Sequence, residues 1–249
     1  MNGSEMRLRT DLVDYSQRIH ARGWVANHDG NLSVRVRAGQ FLCTPTATSK
    51  AQVRDDLLLS VDEAGQRLSG RGKPFSELSL HLAVYRVRPE VSAVIHAHCP
   101  YATALGAAGY ALSQPFLPEA VVSLGPVVPL MPLAAPGQAA VDALLPLLPF
   151  YDSVLMAGNG LLAFGDSLEQ AYLRVELTEH LSRIFLLALP VGGVKTLPET
   201  MLLPLLQARK KAGLGPEARG LVMPETFSLP HNHEALTLLI REELAKFRT

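Results

Sequence analysis

Val91-Ser-Ala-Val-Ile-His-Ala-His98 is an apolar, β-branched run that closes on two histidines one residue apart. Unbroken hydrophobicity over 91–97 predicts a strand buried on both faces rather than an alternating surface strand. Side chains at i and i+2 of a strand share a face, so His96 and His98 point the same way with Cα atoms about 6–7 Å apart. Two imidazoles so placed can reach one divalent ion; read alone, they are equally a pair of satisfied core or edge histidines. Cys99, the next residue, alternates to the opposite face and is set aside as a ligand. Upstream, Pro74-Phe75-Ser76-Glu77 opens a helix over 76–87 that stops before Pro89. Glu77 falls in its first turn. A carboxylate there complements the helix dipole. It can also be aimed at the histidines as a ligand, as an acid/base, or as each in turn.

Outward from this centre the chain alternates strands and helices. Leu12, Tyr15 and Ile19 give helical spacing over 11–22. Asp29-Gly30 marks a turn, and Leu32, Val34 and Val36 alternate as a strand. That turn, Asp29 to Ser33, reads as a hairpin turn or as backbone N–H groups able to cradle an anion. Strands follow at 40–44 and 57–61, then a turn at 63–65 and a loop at 70–74. Beyond the histidines come a helix over 101–108, strand and loop over 115–136, and a helix over 137–148. A buried strand at 153–157 turns at Gly158-Asn159-Gly160 into a partner at 161–164. The longest helix spans 168–189, and two more are predicted at 197–212 and 232–247. This order predicts an α/β or α+β sandwich.

Composition narrows the function classes. The chain has 249 residues, 48% hydrophobic and 18% charged, which excludes bulk disorder and fits one domain. Lys+Arg and Asp+Glu are each 23, so a polybasic grip on nucleic acid is not expected. The densest basic run is Arg209-Lys210-Lys211. No apolar stretch reaches the ~20 residues of a membrane span, and 1–10 shows no secretory h-region. Two cysteines cannot form a disulfide framework; Cys43 reads as buried filler, and a cytoplasmic setting is expected. The low charged fraction predicts surface buried between subunits.

The residues then fall into one collinear series. It runs Gly30-Asn31-x-Ser33, Thr44-Pro45, Ser76-Glu77-x3-His81-x3-Tyr85, Arg88-Pro89-x6-His96-x-His98-x2-Tyr101-Ala102-Thr103, Pro136-Gly137, and Gly160 before a strand and long helix. Over about 10–190 this resembles the class II aldolase/adducin family. The resemblance implies a three-layer αβα sandwich around a mostly antiparallel sheet; it does not extend over 191–249, which is expected as a helical extension packed on the domain of 1–190. It implies homotetramers with sites between subunits, and a divalent metal, zinc first and manganese or iron next, held by three histidines. His96 and His98 carry over as metal ligands and Glu77 as the acid/base, itself a candidate ligand without substrate. Gly30, Asn31, Thr44 and Ser76 carry over as substrate contacts. The implied activity is a metal-dependent lyase on a small hydroxy- or keto-compound, by aldol cleavage, dehydration or decarboxylation through an enediolate-type intermediate. The alternative is a non-catalytic protein like the adducin head, with a degenerate metal site.

Departures from the family pattern matter as much. The family's third histidine is Asn159 here, and an amide oxygen is a poorer zinc ligand than imidazole. His180, with Glu176 one turn earlier, is a candidate replacement or a plain helix residue. Phe75 and Ala47 replace a serine and a glycine of the phosphate-binding segments, which makes a carboxylate substrate as credible as a sugar phosphate. Thr46, Thr48 and Lys50 still offer groups for an anion. Phe116 stands near the family's tyrosine proton donor, where Tyr110 and Glu119 are the available donors. His231-Asn232-His233 reads as a loop with Asn232 as a helix cap.

Overall fold

A computed structural model of the protein describes residues 3–221. Hydrophobic periodicity sets the elements. Leu12, Ser16 and Ile19 recur at helical spacing and form the buried stripe of α1 (Gly3–Ala21), longer than its predicted span. Leu32 and Val34 alternate with Ser33 in β1 (Asn31–Arg37), which pairs with β2 (Gln40–Cys43). Next come β3 (Leu59–Asp62), β4 (Arg67–Ser69) and α2 (Leu78–Val87). β5 (Ala93–Ala97) is buried at every position, as the apolar run predicts. α3 (Pro100–Ala107) follows with its proline in the first turn, where the missing N–H costs nothing.

The segment 115–136 is not all strand and loop. Pro118 starts a short helix, α4 (Pro118–Ser123), before β6 (Leu130–Met131). Then come α5 (Gln138–Leu144), β7 (Ser153–Met156), β8 (Leu161–Gly165) and α6 (Leu168–Ala188), whose cap Ser167 accepts from the Gln170 N–H at 3.2 Å. α7 (Glu199–Lys211) closes the described chain apart from a 3-10 turn at Glu217–Arg219. The predicted helix at 232–247, with His231 and His233, lies outside the described residues.

Among the described residues the strands form one sheet, ordered β4-β3-β2-β1-β5-β8-β7-β6. Every pairing is antiparallel except β6 with β7. One apolar layer joins α1, α3, α4 and α6 to the sheet through Ile95, Leu161 and Val175. The other joins α2 and α5 through Val94, Leu162 and Phe164. That is the αβα sandwich around a mostly antiparallel sheet. Each fully buried Leu, Ile or Phe contributes about 1.5–3 kcal/mol. No helix among the described residues is long and apolar enough to cross a membrane.

A buried carboxylate ties the last elements to the sheet. Asp152, just before β7, pairs with Arg88 at 2.7 Å, Arg209 at 3.1 Å and Arg174 at 3.2 Å. Arg209 also donates to the Val122 and Ser123 carbonyls, so α7 seats on α4. The basic run at 209–211 is thus not a uniform exposed face, because Arg209 is buried.

Candidate active site

β5 lies between β1 and β8, which puts His96 opposite Asn31 on one side and Leu162 on the other. His98 stands one residue past the strand and is half-buried. Their rings are 5.0 Å apart at 76°, and the two Nε2 atoms approach to 3.2 Å. The far side of each ring is committed. His96 Nδ1 is 3.1 Å from the Leu161 carbonyl, and His98 Nδ1 is 3.3 Å from Asp29 Oδ2. A carbonyl only accepts, so His96 Nδ1 carries the proton and donates it, which leaves the lone pair on His96 Nε2; Asp29 stands at ion-pair distance from His98 Nδ1. The His96 Nε2 lone pair faces His98 Nε2, which donates an N–H to it in one tautomer and presents a second lone pair in the other. In the second tautomer the pair suits a shared cation. Ligand nitrogens on a tetrahedral zinc ion, at 2.0–2.1 Å each, stand about 3.3–3.4 Å apart. Burial pushes the His96 pKa down to about 4, and the neighbouring His98 adds to the effect, so the His96 ring is neutral at pH 7.

Two glycines let the backbone close around this point. Gly30 has φ 68°, and a Cβ there would meet Val25 Cγ1 at 2.4 Å and the His96 carbonyl at 3.1 Å. Gly160 has φ 79°, and a Cβ there would meet the Ala97 carbonyl at 2.4 Å and His98 Cδ2 at 2.7 Å. The turn holding Asn159 therefore sits directly against the histidines. The Asn159 N–H donates to the Met156 carbonyl at 3.0 Å, and its side chain is half-buried.

Glu77 is the residue preceding α2, not part of its first turn, and its side chain does not cap the helix. Its Oε2 accepts from Ser76 Oγ at 2.7 Å and from Asn31 Nδ2 at 3.3 Å. Its charge favours protonated His96, which places it within electrostatic reach of the pair. Asn31 is buried, and its Oδ1 has no hydrogen-bond partner. One turn further along α2, His81 joins Ser33 Oγ at 2.8 Å, and Ser33 joins Tyr85 at 2.8 Å. His81 is a buried neutral imidazole, its pKa lowered by burial and then by His96.

Other expected residues lie differently. Thr44 is buried with its hydroxyl on the Leu32 backbone, accepting from the N–H at 3.2 Å. His180 is exposed on α6 and lines a separate cavity of about 640 Å³ with Trp24, Tyr101 and Arg183; neither His96 nor His98 lines it. Glu176, beside His180, pairs with Arg22. Glu119 is exposed on α4, in the opposite helix layer from Glu77. Among the described residues no group of three His, Cys, Asp or Glu is arranged to hold a metal. The histidine pair stands without a third such side chain, and Glu77 is not grouped with it as a ligand. Asp29 is the partner that sequence reasoning missed: it read as a turn residue, and its carboxylate faces a histidine far along the chain.

A sandwich of this topology, with paired imidazoles at a strand end and a carboxylate preceding the facing helix, defines a class of metal-dependent lyases. A sequence profile of the class II aldolase and adducin N-terminal domain matches residues 10–186. The chain belongs to that family, and it is an enzyme of the lyase type. It is 33% identical over 186 residues to 3-oxo-tetronate 4-phosphate decarboxylase of Pectobacterium atrosepticum, covering 73% of this chain and 84% of the relative. It is 31% identical over 207 residues to methylthioribulose-1-phosphate dehydratase of Methylococcus capsulatus, covering 78% of this chain and all of the relative. The crystal structure of YgbL from Escherichia coli superposes with a TM-score of 0.75 at 28% identity, covering 81% of this chain and 99% of that one.

Proposed function

We propose that the chain breaks a bond adjacent to a carbonyl in a small keto- or hydroxy-acid, with His96 and His98 holding a divalent ion, zinc first. The observation that carries this is the 3.2 Å approach of the two Nε2 atoms, with His96 Nδ1 donating to the Leu161 carbonyl and the Asp29 carboxylate beside His98 Nδ1. A divalent ion there supplies Lewis-acid neutralisation of the negative charge that develops on substrate oxygen. Asn159 occupies the turn against His98 and is the candidate third donor. Glu77 exchanges the proton: both of its side-chain hydrogen bonds described above fall on Oε2, which leaves Oε1 for the substrate carbon or oxygen. Asn31 Oδ1 is positioned to accept from a substrate hydroxyl, and Gly30 and Ser76 line the approach.

Phe75 is buried and stacks edge-on against His81 at 4.9 Å, so the side chain at this phosphate-segment position faces the core. This favours a carboxylate as the anionic group of the substrate. The chain is further proposed to work as a cytoplasmic homotetramer, with 191–249 as an extension of the catalytic domain. The test is release of carbon dioxide or aldehyde from a panel of 3-oxo acids and keto-sugar phosphates by the zinc-loaded chain. Turnover of a 3-oxo acid, abolished in His96→Ala, supports the reading. Turnover confined to sugar phosphates contradicts the substrate class, and turnover retained by His96→Ala contradicts the centre.

A further inference from the structure

Lys50 is among the largest fully buried side chains, at 1% exposure. It begins a 3-10 turn, Lys50–Gln52, after the loop that follows β2. Its ammonium donates to the Thr48 carbonyl at 2.7 Å and to the His28 carbonyl at 3.4 Å. Among the described residues no carboxylate reaches ion-pair distance of it; its attractive electrostatic partner is Asp29. Burial pushes its pKa down to about 8 against the pull of Asp29.

A buried ammonium without a contacting counterion is costly, and a Met of the same length would fill the space without that cost. The position of the charge offers a reason for it. His28 and Asp29 are consecutive, so the ammonium holds the backbone of the loop that presents Asp29. Asp29 in turn accepts from the Ala26 N–H at 2.6 Å through Oδ1 and faces His98 Nδ1 at 3.3 Å through Oδ2. A carboxylate behind a ligating histidine fixes its tautomer and ring orientation. The histidine pair has only Asn159 where the family has a third imidazole, so the orientation of His98 counts for more here.

We infer that Lys50 is a positioning residue for the metal centre: it fixes Asp29, and Asp29 aims His98. This rests on the reading of the pair as a metal site. The experiment compares zinc dissociation constants, by chelator competition on the metal-stripped full chain, for wild type, Lys50→Met, Asp29→Asn and the double variant. Lys50→Met is expected to weaken zinc about tenfold, within the range for such supporting partners, with unchanged or raised melting temperature. In the Asp29→Asn background it is expected to weaken zinc no further. A merely structural lysine would not lower zinc affinity while leaving the fold intact.

Wild-type zinc affinity in Lys50→Met, or a full additional tenfold loss on top of Asp29→Asn, overturns the inference. If Lys50→Met does not fold, Lys50→Gln is read by the same criteria. If the wild-type chain takes up no zinc, the metal reading fails by itself. Nitrogen-15 spectra of His98 in the metal-free chain then judge Lys50: loss of the Nδ1-protonated tautomer in the variant supports it, and an unchanged spectrum overturns it.

Discussion

His96 Nε2 and His98 Nε2 face each other at 3.2 Å, while His96 Nδ1 donates to the Leu161 carbonyl and His98 Nδ1 stands 3.3 Å from Asp29 Oδ2. Local backbone geometry produces this. The antiparallel register sets His96 beside β8, and the strand end frees His98 to tilt toward the Asp29 turn. The same geometry fixes what each neighbouring residue can do.

Glu77 is expected to move a proton rather than hold the fold. Glu77→Gln keeps the shape and can still accept from Ser76 and Asn31 through its amide oxygen. Turnover of the zinc-loaded variant is expected to fall by about 10² or more, with melting temperature and zinc content close to wild type. Steady-state kinetics on an established substrate checks this, and turnover within threefold of wild type contradicts it.

Asn159 sits in the turn pressed against His98 and is the proposed counterpart of the family's third histidine. Asn159→His is expected to tighten zinc by about tenfold, which is about 1.4 kcal/mol. Competition titration checks it; an unchanged constant means that this side chain faces away from the pair. His180→Ala, on the separate cavity, is expected to leave zinc affinity unchanged.

Asp152 is expected to govern stability at low pH. Burial acts to raise its pKa, but Arg174 and Arg88 outweigh burial and hold it below the ordinary carboxylate value. A depressed folded pKa contributes stability that is complete above the unfolded value of about 3.9 and is lost as pH falls from there through the folded value. Asp152→Ala strands the arginines packed around it and is expected to cost about 3–5 kcal/mol at pH 7. Denaturant unfolding checks both effects. A loss under 1 kcal/mol contradicts the role assigned to the cluster.

Ala47 takes a left-handed conformation, with φ 53°, at the position where the resemblance to the family implies a glycine. The sequence argues against positive φ at an alanine, yet the turn between β2 and the Lys50 segment imposes it. Such a conformation costs an L-residue roughly 1–2 kcal/mol, and glycine returns part of that gain as unfolded-state entropy. Ala47→Gly is expected to raise the melting temperature by about 2–4 °C. Calorimetry showing a fall contradicts it.

Elements with strong periodicity were legible: the buried β5, the β7–β8 hairpin and α6 are close to their expected spans. The convergence of His96 and His98 was anticipated from strand alternation, although β5 ends at Ala97 and His98 tilts in from just beyond it. What was not legible depends on contacts remote in sequence. Asp29 looks like half of an Asp-Gly turn until β1 pairs with β5 and carries the turn to His98. Lys50 looks like a loop cation until packing buries it. Asp152 is one polar residue before a strand until Arg88, Arg174, Arg209 and Arg219, all remote in sequence, meet it. Short elements failed for a local reason. Pro115 and Pro118 read as loop, but a proline is well placed in a helix's first turn, and α4 starts on one. β4 is three exposed residues without an apolar pattern to announce it.

The most direct test of the metal centre is zinc content after metal stripping and reconstitution, measured by mass spectrometry on wild type and on His96→Ala. The geometry predicts about one zinc per wild-type chain and close to none in the variant, with both proteins folded by circular dichroism. Background zinc in the wild type, or equal zinc in both proteins, would contradict a metal held between His96 and His98.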